Sequence, residues 1–401
     1  LSTPWVTRGV LGIVVATFMS DVAHEMATAT LPMYLGAIGL GAAALGFMEG
    51  FADFVFSLSK LAGGWVGHRT EKKRPLASLA YLVTALGTAA IALTQSLTAL
   101  VSVRSVAWIG RGFRSPLRDF MLADEVGPTH FGRAYGVERA ADMAGAVIGP
   151  VVAALLVWFG VEFRSVILAS LAPALLAAGS FFFLTRDRRA PLDPAVEQPR
   201  GNTRLPRRFW LFTGAVALFG LGDFSRTFLI FVAAAAFAPS ADVAPGALSA
   251  AVLLYAAHNA VSAAAAYGAG ALGDRTSKPR VLIAGYALGV LTNVVLSLSW
   301  GAVGPLLVAV SLSGISIAIQ ETLEKAVAAE MLPREQRSLG LGVLASANAV
   351  GDMISSVGVG LLLGAGHYRI AFLAPAAFGL AGLLWMIALR STLAGGEPSG
   401  S

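Results

Sequence analysis

Runs of roughly twenty apolar residues recur along nearly the whole chain, and that is the length a helix needs to cross the hydrocarbon core of a bilayer. In lipid the backbone must satisfy its own N–H and C=O groups, so only helices and closed barrels span, and runs this long select helices. Composition agrees with that reading. The chain is 56% hydrophobic and 13% charged, against about 25% charged in an ordinary soluble domain. The 45 glycines and 18 prolines are abundant, as membrane helices tolerate. The expected fold class is all-α and integral to the membrane.

Twelve spans can be read, at 9–39, 42–66, 75–95, 97–118, 135–158, 162–185, 209–238, 246–272, 279–300, 302–325, 338–365 and 368–391. Between the sixth and seventh lies TRDRRAPLDPAVEQPRGNTRLPRRF, charged and proline-rich, which reads as a linker. The expected organisation is an N-terminal six-helix bundle (1–185), a linker (186–208), a C-terminal six-helix bundle (209–391) and a flexible tail (392–401). The first apolar run is too long and too charged for a secretory signal core. Starting at Leu1, the sequence reads as beginning after its natural start.

The basic residues choose a side. Arg8, Arg69, Lys72, Lys73, Arg74, Arg114, Arg118 and Arg133 fall at alternate boundaries, as do the linker arginines, Arg275, Lys278, Arg280, Arg334, Arg337 and Arg390. The opposite loops hold Arg164 and Arg369. By the positive-inside rule both termini and the linker are cytoplasmic, and the expected location is the bacterial inner membrane. The net charge of +6 then reflects topology, and no nucleic-acid partner is expected. With no cysteine, thiolate metal sites, disulfides and cysteine nucleophiles are excluded.

The halves repeat each other. GGWVGHRTEKKRPL (Gly63–Leu76) follows span two and AGALGDRTSKPRVL (Ala269–Leu282) follows span eight. One constant offset pairs Gly64 with Gly270, Gly67 with Gly273, Arg69 with Arg275, Lys72 with Lys278 and Arg74 with Arg280. A parallel repeat of six-helix halves is an architecture of secondary transporters.

Ionisable residues at membrane depth tend to face a bundle interior or water. Spans three, six, nine and twelve carry essentially none away from their ends, so they are expected to face lipid while the others surround a cavity. On span one Thr17, Asp21, His24, Glu25, Thr28 and Pro32 share a face, with Met19, Met26 and Met33 opposite. On span two Glu49, Asp53, Ser57, Lys60 and Gly64 form a stripe. Arg104 and Arg111 lie on span four, His258 and Asn259 on span eight, and Asp352 on span eleven. Asp223 and Arg226 on span seven, and Glu321 and Lys325 on span ten, are spaced to neutralise each other. Glu138, Arg139 and Asp142 sit near the cytoplasmic end of span five, where a gate or interfacial network is expected. Acids outnumber bases in the spans, and the closely spaced pair Asp21 and Glu25 is the expected proton-coupling site, the alternative being structural pairing with the arginines of span four.

These residues resemble the major facilitator superfamily across the whole chain. The loops after spans two and eight are similar to its G-x-L-x-D-R-x-G-R-[RK] signature. The second copy fits through Gly270, Asp274, Arg275 and Lys278. In the first, with Gly64 and Arg69 in place, His68 replaces the acid and Glu71 a glycine. The family resemblance makes these loops gate elements. Gly136, Gly145, Gly149 and Pro150 match the family's antiporter motif G-x8-G-x3-G-P, with Ala153 and Ala154 where glycines usually follow. Arg104 matches by location the buried arginine that the family links to proton coupling. The resemblance implies two pseudo-symmetric six-helix bundles working by alternating access.

Two substrate readings stay open: proton-coupled export of small amphipathic or cationic organic molecules, drugs included, and carriage of a metal ion or chelate through Asp21, His24 and Glu25. An enzyme is not expected, since H-E-x-x-H fails at Thr28 and no G-x-S-x-G elbow occurs. No bound cofactor is expected, the driving force being a proton gradient. The expected partners are the substrate and the lipid bilayer, with the chain working as a monomer.

Overall fold

The computed structural model describes residues 5–40, 42–187, 204–224, 228–229, 232, 245–299 and 302–394. Within them the side chains of Pro32, Met33, Glu49 and Asp53 lie outside the described set, as do Arg226 and the final residues of the expected tail. The first half contains α1 (Arg8–Ala37), α2 (Ala42–Arg69), α3 (Lys73–Ala90, prolonged by a 3₁₀ turn to Leu93), α4 (Leu97–Glu125), α5 (Phe131–Trp158), α6 (Phe163–Ala169) and α7 (Leu171–Leu184). The second contains α8 (Arg207–Gly220), α9 (Pro245–Arg275), α10 (Lys278–Ser297), α11 (Val303–Met331), α12 (Arg337–Gly364) and α13 (Tyr368–Ala394). Helix falls on every one of the twelve expected spans, with α6 and α7 sharing the sixth.

Eight of the described stretches are long and apolar enough to cross a membrane by themselves. α4 is not among them, because Arg104, Arg111, Arg114, Arg118 and Asp119 lie inside it. The sequence reading ends this span at residue 118 and treats Arg114 and Arg118 as boundary residues. The helix instead continues to Glu125 with both arginines buried. Charges that resemble a loop stay inside because each finds a partner there. A second difference lies in span seven, expected as one helix over 209–238. α8 closes at Gly220, where Gly222 N–H donates to the Phe219 carbonyl (2.6 Å) and Asp223 N–H to that of Gly220 (3.0 Å). Gly222 takes this turn against α13: a Cβ there would meet the Gly379 Cα at 2.6 Å.

Three turns, after α1, α5 and α12, close in the same way. Gly39, Gly160 and Gly366 have φ near +80°. The next N–H in each case reaches back five residues, Leu40 to Leu35, Val161 to Leu156 and His367 to Leu362. This is the Schellman arrangement that glycine allows without a Cβ penalty. Gly160 and Gly366 are separated by the same offset as Gly64 and Gly270, so the repeat extends to the turn closing the fifth and eleventh spans.

The contacts divide the chain into two compact units. The first holds residues 1–128, 141–204 and 332–346; the second holds 129–140, 205–331 and 347–401. Each unit is therefore built mostly from one half but takes the start of one helix, α5 or α12, from the other. In the first unit α2 lies along α4, α4 along α3, and α1 along α7. An apolar cluster of Leu31, Tyr34, Leu35, Met48, Ile91, Leu100 and Ile167 fills the end away from the linker. In the second, α11 packs on α9 and α10, and α10 on α13. Leu296, Leu306, Val310, Val359, Leu363 and Phe372 make the corresponding cluster. Because lipid is as apolar as leucine, close packing rather than water exclusion holds such clusters together.

Candidate functional site

α1 and α4 run antiparallel and meet along a ladder of side chains. As the number rises on α1 it falls on α4. Thr17 Oγ1 accepts from Arg118 (3.4 Å), Ser20 Oγ from Arg114 (2.6 Å) and Asp21 Oδ1 from Arg111 (2.6 Å). The His24 ring meets the edge of Trp108 at 5.0 Å between centroids, and Thr28 Oγ1 accepts from Arg104 (3.4 Å). Burying an arginine at the centre of a membrane helix costs about 2.5–3.5 kcal/mol on insertion scales, so four on one helix must turn away from lipid. They do: Arg104 is 1% exposed and Arg114 3%.

The ladder is reinforced by aromatic faces. Arg114 lies over the Tyr81 ring of α3 at 3.8 Å, and Arg104 and Arg111 lie over Trp108 at 5.1 and 5.6 Å. Phe56 of α2 meets Trp108 edge-on and carries Lys60 above its own face. Arg118 is neutralised by the neighbouring Asp119 (3.0 Å). Spans expected to face only lipid contribute here and below through uncharged polar groups, Tyr81 on α3 and Thr292 and Asn293 on α10. Their other faces do present bare apolar residues, such as Leu79 and Leu86 or Leu291 and Leu298.

Asp21 and Arg111 sit at the middle of their helices, and Asp142, near the middle of α5, is a hydrogen-bonding neighbour of Asp21. Glu25, one turn along α1, is a further electrostatic neighbour of both Asp21 and Arg111. α5 comes this close because of two glycines. A Cβ at Gly145 would lie 2.7 Å from the Phe18 carbonyl and 2.8 Å from the Asp21 Cβ; at Gly149, 2.7 Å from the Val22 carbonyl and 2.8 Å from the Glu25 Cβ. Pro150 sits inside the same helix. Asp21 and His24 are engaged by Arg111 and Trp108, and among the described residues no group of His, Asp and Glu is placed to hold a metal ion.

The remaining expected residues fall elsewhere. Glu49 and Asp53 lie on α2 with their side chains outside the described set, and Arg226 is outside it altogether. Glu321 is held by Arg139 through two bonds (2.7 and 2.9 Å), and Lys325 faces Glu138 at 3.7 Å. Both of these partners come from the start of α5. Glu138 and Arg139 form the network expected there, whereas Asp142 belongs to the Asp21 site. His258, fully buried on α9, pairs with Ser313 (3.0 Å) and Asn259 (3.3 Å). Asp352 is half-buried on α12.

The loop signatures hold helix starts. Asp274 accepts from Gly132 N–H (2.8 Å) and Arg133 N–H (2.9 Å) and pairs with Lys278 (3.0 Å). Gly270 passes against the Gly132 backbone, and Gly136 against that of α9, where a Cβ would sit 2.6 Å from the Ala266 carbonyl. In the first unit His68 Nδ1 donates to the Glu335 carbonyl (2.8 Å), so the replaced acid still meets the 332–346 segment. A Cβ at Gly64 would lie 2.9 Å from the Ser338 carbonyl. Arg334 forms a fork with both carboxylate oxygens of Asp124. Arg69 and Arg275 are exposed, Arg69 over Trp65.

Of the second unit's polar centre, sequence reasoning named Asp223 but not the residues around it. A cavity of about 30 Å³ is lined by Gly222, Asp223, Thr292, Asn293, Ser313, Ser316 and Gln320, room for a water or two. Beside it Tyr286 donates to the buried Glu324 (2.7 Å) and stacks on Phe219 (3.8 Å). No single motif flags this cluster, since its members come from α10, α11 and the turn after α8.

The Major Facilitator Superfamily profile matches the chain twice, over residues 13–257 and 219–400. The chain belongs to the major facilitator superfamily. An uncharacterised MFS-type transporter of Methanocaldococcus jannaschii is 24% identical over 350 residues, 86% of each chain. Among solved structures, the human organic anion transporter MFSD10 aligns with a TM-score of 0.74 at 17% identity, covering 96% of this chain and 100% of that one. A bacterial homologue of the iron transporter ferroportin, in its outward-facing state, aligns equally well at 14% identity, over 96% and 99%. The protein is thus a multi-pass secondary transporter of the MFS fold, twelve helices in two six-helix bundles. At these identities the structural likeness speaks for the fold alone.

Proposed function

We propose that this MFS transporter is a proton-coupled carrier of small organic molecules, with the proton exchanged at Asp21. The observation that carries this reading is the meeting of Asp21, Asp142 and Arg111 near the middle of three helices. Two carboxyl groups within hydrogen-bonding reach favour sharing a proton, and one guanidinium is available to whichever of them is ionised. Ionisable groups at such depth mark proton and substrate pathways. Proton arrival frees Arg111 from Asp21; proton loss restores the pair. The bacterial cytoplasmic membrane, with both termini and the linker inside, fits the alternation of basic loops. The carrier then works as a monomer driven by the proton gradient, without a bound cofactor.

A second reading is proton-driven export of cationic amphipaths. The span-five motif favours it, and the lysine over Phe56 shows that aromatic faces here accept cations. Against it, the Trp108 face is already occupied by guanidinium groups. A metal ion is supported less, since Asp21 and His24 have other partners.

The test uses proteoliposomes carrying an internal pH dye and an imposed pH gradient, with benzoate and tetraphenylphosphonium as probes. Wild-type protein should dissipate the gradient faster when a transported probe is present, and Asp21→Asn should not. Probe-dependent proton flux that survives unchanged in Asp21→Asn defeats the reading. The direction in which the probe moves relative to protons separates co-transport from exchange.

A further inference from the structure

We propose that the substrate is a small organic anion whose carboxylate binds at the Arg111 guanidinium, completed by Arg114 and the indole N–H of Trp108. This deepens the proton-coupled reading above and rests on it.

The donors all come from α4. Arg111 spends Nη2 on Asp21, and its Nη1 is buried with no acceptor among the described residues. Arg114 spends Nη2 on Ser20, while its Nε and Nη1 are buried without an acceptor, the residue being 3% exposed. Trp108 Nε1, between Arg104 and Arg111 on the same helix, is likewise buried without one. Buried donors left unsatisfied are costly, and planar guanidinium forks match carboxylate geometry. The Arg111 side chain retains 18% exposure.

The charges facing Asp21 decide the sign of the ligand. Arg111 and Arg114 approach from α4, Asp142 from α5 and Glu25 from its own helix, while Arg104, Arg111, Arg114 and Asp142 surround His24 one turn along. Tyr81 of α3 is stacked on Arg114. With Asp21 ionised, Arg111 is engaged and an incoming anion meets a carboxylate. When a proton from the aqueous side neutralises Asp21 while the proton the pair shares rests on Asp142, the charge pairing with Arg111 is lost and a substrate carboxylate takes its place. One proton and one anion enter, so the net charge of the site is unchanged and the two cross together. Release reverses the steps, the anion leaving and Asp21 returning its proton to the far side. A cation finds no comparable vacancy among three guanidinium groups.

Binding to the purified full-length protein separates the possibilities, read as thermal stabilisation by acetate, lactate, hexanoate and benzoate, with tetraphenylphosphonium as the cationic probe. At about pH 6 at least one monocarboxylate should raise the melting temperature by several degrees and tetraphenylphosphonium should not. Proton-linked binding should weaken by roughly ten-fold per pH unit on the alkaline side, and Asp21→Asn should remove that dependence while keeping the affinity. Arg111→Gln should abolish binding. Because that change leaves Asp21 without its guanidinium, the charge-balanced Asp21→Asn/Arg111→Gln variant is the companion, expected to be folded and blind to every monocarboxylate. Stabilisation by none of the four, or unchanged binding in the double variant, overturns the anion site even if Asp21→Asn still abolishes proton flux. Monocarboxylate binding in the wild type that ignores pH supports the anion site and overturns the coupling reading instead.

Discussion

Tyr286 and Glu324 show what a buried polar pair demands. The carboxyl group sits 6% exposed with the phenol donating to it at 2.7 Å. Removing one partner strands the other, whereas removing both leaves an apolar contact. Tyr286→Phe should therefore lower stability by about 1–3 kcal/mol, and Tyr286→Phe/Glu324→Leu should recover most of it, both read from thermal unfolding in detergent. A double variant as unstable as the single would place the effect in ring packing. Such pairs were only partly legible beforehand. The sequence showed that Asp21 lies on a polar face, because periodicity within one helix is visible. It allowed the span-four arginines as partners but did not single out Arg111, ninety positions away. For Glu321 it pointed to the local Lys325, and the fold adds Arg139 in a two-bond fork. Local spacing names candidates within a helix, but the choice among them is made by neighbours that only the packed bundle brings near.

At the scale of the element, α5 depends on glycines that no other helix position excuses. Gly145→Ala or Gly149→Ala places a methyl group under 3 Å from α1 backbone carbonyls. Each should cost about 1–3 kcal/mol through the forced separation of two helices, and should lower proton flux along with melting temperature. Gly358→Ala on α12 is the control: nothing lies within 4 Å of its Cβ position. Alanine there should be neutral or stabilising by up to about 1 kcal/mol. Equal losses at all three sites would refute the packing argument. Elements were the most legible level, since helix falls on each of the spans expected from the apolar runs. The exceptions have physical causes. α4 outran its expected end because its arginines point inward to partners. α8 stopped early because a Gly-Leu-Gly-Asp turn, inconspicuous in an apolar run, closes the helix against α13.

For the whole molecule, the exchanged helix starts are the main consequence of the repeat. Asp274 secures the start of α5 through two backbone N–H groups. The chain lacks cysteine, so an Ala134→Cys probe, buried in its unit, reports opening by maleimide labelling. Adding Asp274→Ala should raise the labelling rate several-fold; an unchanged rate would mean that other contacts hold the segment. The same arrangement bears on what the linker does. Residues 129–140 and 332–346 each pack into the unit built mainly by the other half, so the covalent bond between halves is not the sole thing joining them. Two polypeptides made separately, 1–187 and 204–401, should find one another in the bilayer and co-purify through a tag on either one. Interruption of the gene within the linker would then be tolerated where interruption inside α5 is not.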